Sequence, residues 1–341
     1  MPTSGWIKLL FGMVGLGLLV SVLASIDLGQ VVDLMGRVGW GFLLVLFVAC
    51  LTFTADVGSW LAVLPGLPLD LRSLAALWKV RLVGEMLNIV TPAAGVGGEP
   101  AKALILINGF GLEPREAIAS VLVAKTTILL SYIPFLAIGV GLMLATPQVP
   151  RDYFVAAGIG LAIYTAAIGG FALVQRYRIA SRLGGYLHRY RFAARLERIL
   201  NEVRAVDHEL ERLYVLAPRR LWSSLGLAFL GWMLGAAELF VISALLGYPL
   251  SLADVWMIEA VVQLLRQATG FIPGSLGVTE ASMLLLFAVF TGDPSVGVAV
   301  ALIRRLRELV FIAGGMAFGF GYLRSHRPDS MRRRKAADAK G

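Results

Sequence analysis

Long apolar runs follow one another along nearly the whole chain, separated by short polar stretches. Residues 6–26, 40–64, 116–144, 153–174, 221–246 and 295–323 are each long enough to cross a hydrocarbon layer, which takes about 20 predominantly apolar residues. Residues 27–39, with Asp27, Asp33 and Arg37, read as a short loop between the first two spans. Gly66-Leu67-Pro68 ends the second span, because proline cannot donate to the helical ladder and glycine tolerates a turn. Residues 70–90 break the pattern. They are helical in period, but Arg72, Lys79, Arg81, Glu85 and Asn88 sit among the apolar positions, so this helix must pack inside protein rather than against lipid.

After it comes Thr91-Pro92-Ala93-Ala94-Gly95-Val96-Gly97-Gly98-Glu99-Pro100-Ala101-Lys102, a Gly/Pro interruption at membrane depth that leads into a short helix ending near residue 107. Downstream, residues 252–271 and 279–291 flank a second interruption, Ile272-Pro273-Gly274-Ser275-Leu276-Gly277-Val278-Thr279-Glu280. Each pair of arms reads as a helical hairpin that dips into the membrane and returns. Such a hairpin is tolerated only when packed in protein or lining a cavity.

The two interruptions are in register at an offset of 181 residues. That offset lays Gly66, Pro68 and Leu71 on Gly247, Pro249 and Leu252, Pro92 on Pro273, Glu99 on Glu280, Glu85 on Arg266, Asn88 on Thr269 and Gly97 on Val278; Asp56 lands one place before Glu238. With one deletion Pro114 falls on Pro294 and Lys125 on Arg305. The chain therefore reads as two repeats, about 40–145 and about 221–323, within one transmembrane domain of residues 1–323.

Charge sets the expected topology. The net charge is +9, in a chain that is 58% hydrophobic with a mean hydropathy of +0.78. Residues 176–220 hold 11 Arg against five acids, and the tail 324–341 holds seven Lys/Arg against two Asp. Basic segments beside spans belong on the cytoplasmic side. This places both termini inside and makes the repeats inverted, the architecture of secondary transporters with a site near the midplane. Leu196, Ile199, Leu200, Val203, Val206, Leu210 and Leu213 predict an amphipathic helix within the basic loop, and anionic lipid headgroups, not nucleic acid, are the expected partners of both basic segments. The N-terminal run is longer than a signal peptide core and reads as an uncleaved helix. The lone Cys50 has no internal disulfide partner.

Catalytic signals are absent from the sequence. The three His lie in the basic loop and tail (His188, His208, His326), and no His-Glu-x-x-His, Walker or Gly-x-Ser-x-Gly motif occurs. The expectation is a non-enzyme without metal or cofactor. Candidate substrate-binding or translocation residues are Glu85, Asn88, Pro92, Gly97, Gly98, Glu99, Lys102, Lys125, Arg266, Pro273, Gly277, Glu280 and Arg305. Glu99, Lys102, Lys125, Glu280 and Arg305 are expected to form a central polar network, with Glu99 and Glu280 either in that network or capping their own short helices. Glu85 and Arg266 are opposite-charge partners that either tie the repeats together or touch substrate. Arg304, Arg307 and Glu308 add charges whose direction the sequence leaves open, and Asp56, Glu238, Glu259 and Gln263 are second-tier candidates for a proton carrier.

The stretch Glu85-Met86-Leu87-Asn88-Ile89-Val90-Thr91-Pro92, running into Gly97-Gly98-Glu99-Pro100-Ala101-Lys102-Ala103, together with Ile272 to Glu280, resembles the lysylphosphatidylglycerol synthase transmembrane family, also called flippase-like or UPF0104. The resemblance spans roughly residues 6–323. It implies movement of a lipid between leaflets of the bacterial inner membrane, the lipid being a phospholipid, an aminoacyl-lipid, a hopanoid or a lipid-linked intermediate. Without a soluble aminoacyl-transferase domain, lysyl transfer is not implied. Lys102 and Lys125 stand where the family often has Arg, which keeps the charge but not the guanidinium fork. Two alternatives are an ion-coupled transporter of a small solute and a membrane-embedded lipid-modifying enzyme. A homo-oligomer or a lipid-synthesis complex would be the protein partner.

Overall fold

In a computed structural model, residues 27–64, 66–90, 97–147, 149–176 and 218–325 are described, with isolated positions 17, 20, 21 and 24 before them. The predicted first span, most of the basic loop, most of the tail and Pro92 lie outside the described residues. The described chain is helical: α1 Leu28–Val38, α2 Phe42–Val63, α3 Leu71–Val90, α4 Glu99–Phe110, α5 Pro114–Leu144, α6 Arg151–Arg176, α7 Pro218–Leu245, α8 Leu252–Ala268, α9 Val278–Thr291 and α10 Pro294–Ser325. Single turns of 3₁₀ helix occupy Gly39–Gly41 and Pro273–Ser275.

The stretch expected to be a loop at 27–39 is instead the helix α1. Asp27 Oδ1 accepts from the N–H groups of Gly29 (2.8 Å) and Gln30 (3.3 Å), satisfying orphan donors of the first turn. Val31, Leu34 and Val38, three and four apart, are buried against the second-half core. Two acids and an Arg in thirteen residues concealed that spacing. Trp40, just past the helix, is 87% exposed, as befits an amphipathic ring at a membrane–water boundary.

Four stretches are long and apolar enough to cross a membrane, by length and composition: Gly29–Val63, Pro114–Leu144, Arg151–Val174 and Pro218–Leu245. They fit the second, third, fourth and fifth predicted spans. The last predicted span forms as α10, 32 residues long, but its middle carries Arg304, Arg305, Arg307 and Glu308. Such a helix is stable at membrane depth only if those groups find partners in protein.

The helices gather into three apolar cores. One joins α2, α3, α4 and α5, another α1, the end of α7, α8, α9 and α10, and a third α5, α6, α7 and α8. The most extensive helix contact, α2 on α7, bridges the two halves of the sequence and is antiparallel. Gly41, just before α2, lies against Leu245 at the end of α7, and Ser59 Oγ meets Ser224 Oγ at 2.9 Å near the opposite ends.

Element boundaries repeat at the offset read from the sequence. Gly66 (φ 82°) corresponds to Gly247 (φ 84°), and Gly111 (φ 69°) to Gly292 (φ 74°). All four adopt a left-handed conformation that glycine takes without penalty. Between those glycines, α3 and α8 begin at Leu71 and Leu252, and α4 and α9 end at Phe110 and Thr291.

Candidate functional site

A polar cavity of about 310 Å³ lies where the halves meet. Its lining comes from α2, α3, α5, α7, α8 and α10 and from the second interruption at Gly274 and Ser275. Five carboxylates and five cationic side chains face it, beside an apolar wall that includes Phe53, Ile128, Trp232 and Phe311. The cavity therefore offers both a charged and a greasy surface.

Most of these charges are paired. Arg81 on α3 holds Asp56 on α2 at 2.6 Å, and the guanidinium lies 5.3 Å from the centre of the Phe53 ring. Space for the Asp56 carboxylate exists because position 231 is glycine: a methyl there would fall 2.6 Å from Asp56 Oδ1. Arg304 contacts Glu259 at 2.7 Å and Glu238 at 3.6 Å, and donates to the Gly235 carbonyl at 3.1 Å. Arg307 takes the other oxygen of Glu238, and Gln263 Nε2 donates to Glu259 at 2.7 Å. Glu238 and Glu259 are only 1–2% exposed, a burial tolerable for carboxylates only with such partners.

The second interruption is held open by one side chain. Arg305 donates to Glu280 (2.7 Å), to Glu308 (2.7 Å) and to the carbonyl of Gly274 (2.8 Å). Glu280 also accepts the Gly277 N–H at 2.8 Å, capping α9, and Gly277 itself has φ 76°. Arg266 reaches the remaining oxygen of Glu308 at 3.2 Å. Arg304 and Arg307, three apart on α10, thus converge on Glu238, while Arg305 between them turns to the second interruption, a division that spacing alone left undecided.

The first interruption is built differently. Gly98, not Glu99, is the N-cap of α4. Its N–H goes to Asn88 Oδ1 at 2.7 Å, and Asn88 Nδ2 reaches Glu99 at 3.5 Å. Glu99 pairs with Lys102 on its own helix at 2.6 Å, and the Lys102 ammonium sits 5.6 Å from the Trp60 ring centre. The α3–α4 crossing is tight: a methyl at Gly98 would overlap the Gly84 carbonyl, and one at Gly84 would fall 2.6 Å from Lys102 Cγ. Gly97 sits half-buried in the turn beside it.

Of the residues picked from the sequence, Glu85, Asn88, Lys125 and Arg266 line the cavity. Glu99, Lys102, Gly277, Glu280 and Arg305 do not; they hold the helix ends behind its wall. Pro273 opens the 3₁₀ turn of the second interruption. The anticipated central network divides into a Glu99–Lys102 pair and a Glu280–Arg305–Glu308–Arg266 chain. The anticipated Glu85–Arg266 ion pair is not formed; Arg266 turns to Glu308. The cavity adds Arg81 and Trp232, which the sequence reading had not chosen as site residues. Arg81 was legible as a charge in a mixed helix; Trp232 carried no signal in an apolar span. Among the described residues no group of three or more His, Cys, Asp and Glu forms a candidate metal site.

Comparison with known proteins places the chain in a family. The family model for the lysylphosphatidylglycerol synthase transmembrane region matches residues 5–314. The chain belongs to that family. It is 25% identical over 245 residues to a UPF0104 membrane protein of Methanothermobacter thermautotrophicus, covering 67% of this chain and 70% of that protein. No solved structure matches it. Family membership and the apolar helices make it a multi-pass membrane protein with a membrane lipid-related role.

Proposed function

We propose that the protein moves a lipid between the two leaflets of the cytoplasmic membrane, passing the headgroup through the polar cavity while the acyl chains stay in the bilayer. The observation that carries this reading is the composition of the cavity wall: charges at membrane depth beside an aromatic and aliphatic surface. Charges there are costly unless paired or hydrated, and their usual use is a polar path.

Two geometric facts support inverted repeats with re-entrant hairpins. The Tyr248 hydroxyl, just before α8, donates to Asp293, just after α9, at 3.2 Å. The intervening α8–α9 segment therefore leaves and returns at one end of the bundle. Because α2 and α7 run antiparallel, the glycine turns that follow them, at Gly66 and Gly247, fall at opposite ends of that pair. The first hairpin then enters from one side and the second from the other, as in carriers whose site lies between inverted repeats. With the basic segments inside, both termini are cytoplasmic.

Transport, not catalysis, is the proposed role, since the carboxylates Asp56, Glu238, Glu259, Glu280 and Glu308 each serve to neutralise or position a cation or cap a helix. The deciding experiment reconstitutes the purified full chain in liposomes holding acyl-labelled lipids of several headgroups and measures leaflet exchange by quenching from outside. Exchange above protein-free vesicles for at least one headgroup is expected. No exchange for any of them, with correctly inserted protein, overturns the reading.

A further inference from the structure

One cavity charge stands apart. On the cavity face of α3, Arg81, Glu85 and Asn88 lie one above another at helical spacing. Arg81 is taken by Asp56, and Asn88 by the Gly98 N–H and Glu99. Glu85, half-buried between them, has no ion pair or hydrogen bond among the described residues. The other four cavity carboxylates, Asp56, Glu238, Glu259 and Glu308, each hold at least one arginine. A lone carboxylate at membrane depth is the costly exception in a site that otherwise neutralises its charges.

Across the cavity, Arg266 occupies the position related to Glu85 by the internal repeat. Its hold is a single 3.2 Å contact to Glu308, which Arg305 already neutralises at 2.7 Å. The positive side of the cavity is thus less tightly committed at Arg266 than at Arg304 or Arg81. The whole lining carries equal numbers of acids and bases, so a ligand without net charge leaves it balanced, whereas a net anion does not.

We infer that the cavity receives a zwitterionic phospholipid headgroup, with a primary ammonium on Glu85 and the phosphate on the Arg266 side. This deepens the transport reading and rests on it. An ammonium–carboxylate hydrogen bond supplies the selectivity, and the phosphate oxygens compete with Glu308 for a guanidinium suited to paired oxygens.

The test compares acyl-chain-labelled phosphatidylethanolamine with phosphatidylglycerol in the same liposomes, for the wild type, Glu85→Gln and Glu85→Asp. Phosphatidylethanolamine is expected to exchange about tenfold faster than phosphatidylglycerol. Glu85→Gln should collapse that ratio to near one, and Glu85→Asp should restore most of it. Equal wild-type rates, or a ratio unchanged by Glu85→Gln, overturn the inference. If the wild type moves neither lipid, short-chain versions of both are titrated into detergent-solubilised protein and read by tryptophan fluorescence, Trp232 being in the cavity wall. Saturable phosphatidylethanolamine binding, weakened about tenfold by Glu85→Gln, then keeps the subsite while transport falls. Equal or absent binding of the two lipids rejects the subsite itself. Size-exclusion profiles of the variants separate lost selectivity from lost folding.

Discussion

Glu99 and Glu280 occupy the same position in the two halves, yet they are neutralised in different ways. In the first half the cation comes from the same helix, three residues on, and the pair closes on itself. In the second half that position is Met283, and the cation is Arg305 from the next long helix, which also grips the broken backbone at Gly274. The first interruption is therefore secured by a backbone crossing at Gly84 and Gly98 and a local pair. The second is secured by α10, the helix that also sends Arg304, Arg307 and Glu308 into the cavity. Any shift of α10 moves the second interruption and the cavity together and also bears on α3, where a methyl at Gly315 would fall 2.8 Å from the Leu82 carbonyl, whereas the start of α4 in the first half is fixed by the local α3–α4 block. Pseudo-symmetry in the sequence thus conceals a mechanical asymmetry.

The largest expected effect tests the block. Gly98→Ala puts a methyl into the Gly84 carbonyl, and backbone cannot yield as a flexible side chain can. Folded, monodisperse protein should be largely lost, as read by size-exclusion chromatography of a fluorescent fusion. The equivalent change in the second half, Thr279→Ala, removes only a hydroxyl bond to the Ser275 carbonyl at 3.2 Å and should cost about 1 kcal/mol. Equal damage at both positions would break the comparison.

Next comes the tie. Glu280→Gln leaves Arg305 with half its neutralisation and weakens the cap at Gly277, an expected loss of about 3–5 kcal/mol seen as a lowered Tm in detergent. The first-half pair should be strongly non-additive. Glu99→Gln alone strands Lys102 beside Trp60, whereas Glu99→Gln with Lys102→Met, which installs the second half's residue at the matching position, removes both partners and should cost less than the single change. Smaller again is Arg305→Lys. One ammonium cannot span Glu280, Glu308 and the Gly274 carbonyl together, so about 1–3 kcal/mol should be lost in the same Tm assay. A neutral result would mean the fork is not what clamps the break.

The sequence exposed the frame of this comparison but not its mechanics. Paired Gly, Pro and Glu positions carried the register at 181 residues, because turn chemistry and a charge at membrane depth survive in any context. Apolar runs gave the long helices for the same reason. Partner choice was not legible. Glu85 and Arg266 are related by the repeat, which left both a tie between them and contact with substrate open, but Arg266 lies one α8–α10 contact away from Glu308 and takes it. Nor could spacing say which way Arg305 turns as against Arg304 and Arg307, since adjacent positions on a helix face differently and acids stand in both directions, Glu238 for Arg304 and Arg307 and Glu280 for Arg305. The helix α1 was missed because its polar residues, Asp27, Asp33 and Arg37, mask the buried spacing of Val31, Leu34 and Val38.

The smallest effect concerns the starts of α3 and α8. In the first half Asp70 Oδ1 accepts the Ser73 N–H at 2.8 Å. In the second half the residue types are exchanged: Ser251 Oγ accepts the Asp254 N–H at 3.1 Å, and Asp254 accepts the Ser251 N–H at 3.0 Å. Removing the second cap with Ser251→Ala should cost about 0.5–2 kcal/mol. The first cap depends on charge. Hydrogen bonding from Ser73 holds the Asp70 carboxyl below its ordinary value, so its contribution is present above about pH 4 and fades as the pH falls through the depressed folded-state value. Asp70→Ser copies the second half's hydroxyl cap, keeps the acceptor and removes the titration. Between pH 7 and pH 3 the wild type should lose slightly more stability than Asp70→Ser, measured as the difference in Tm at each pH. Parallel curves would show that the two caps, unlike the two glutamates, are interchangeable.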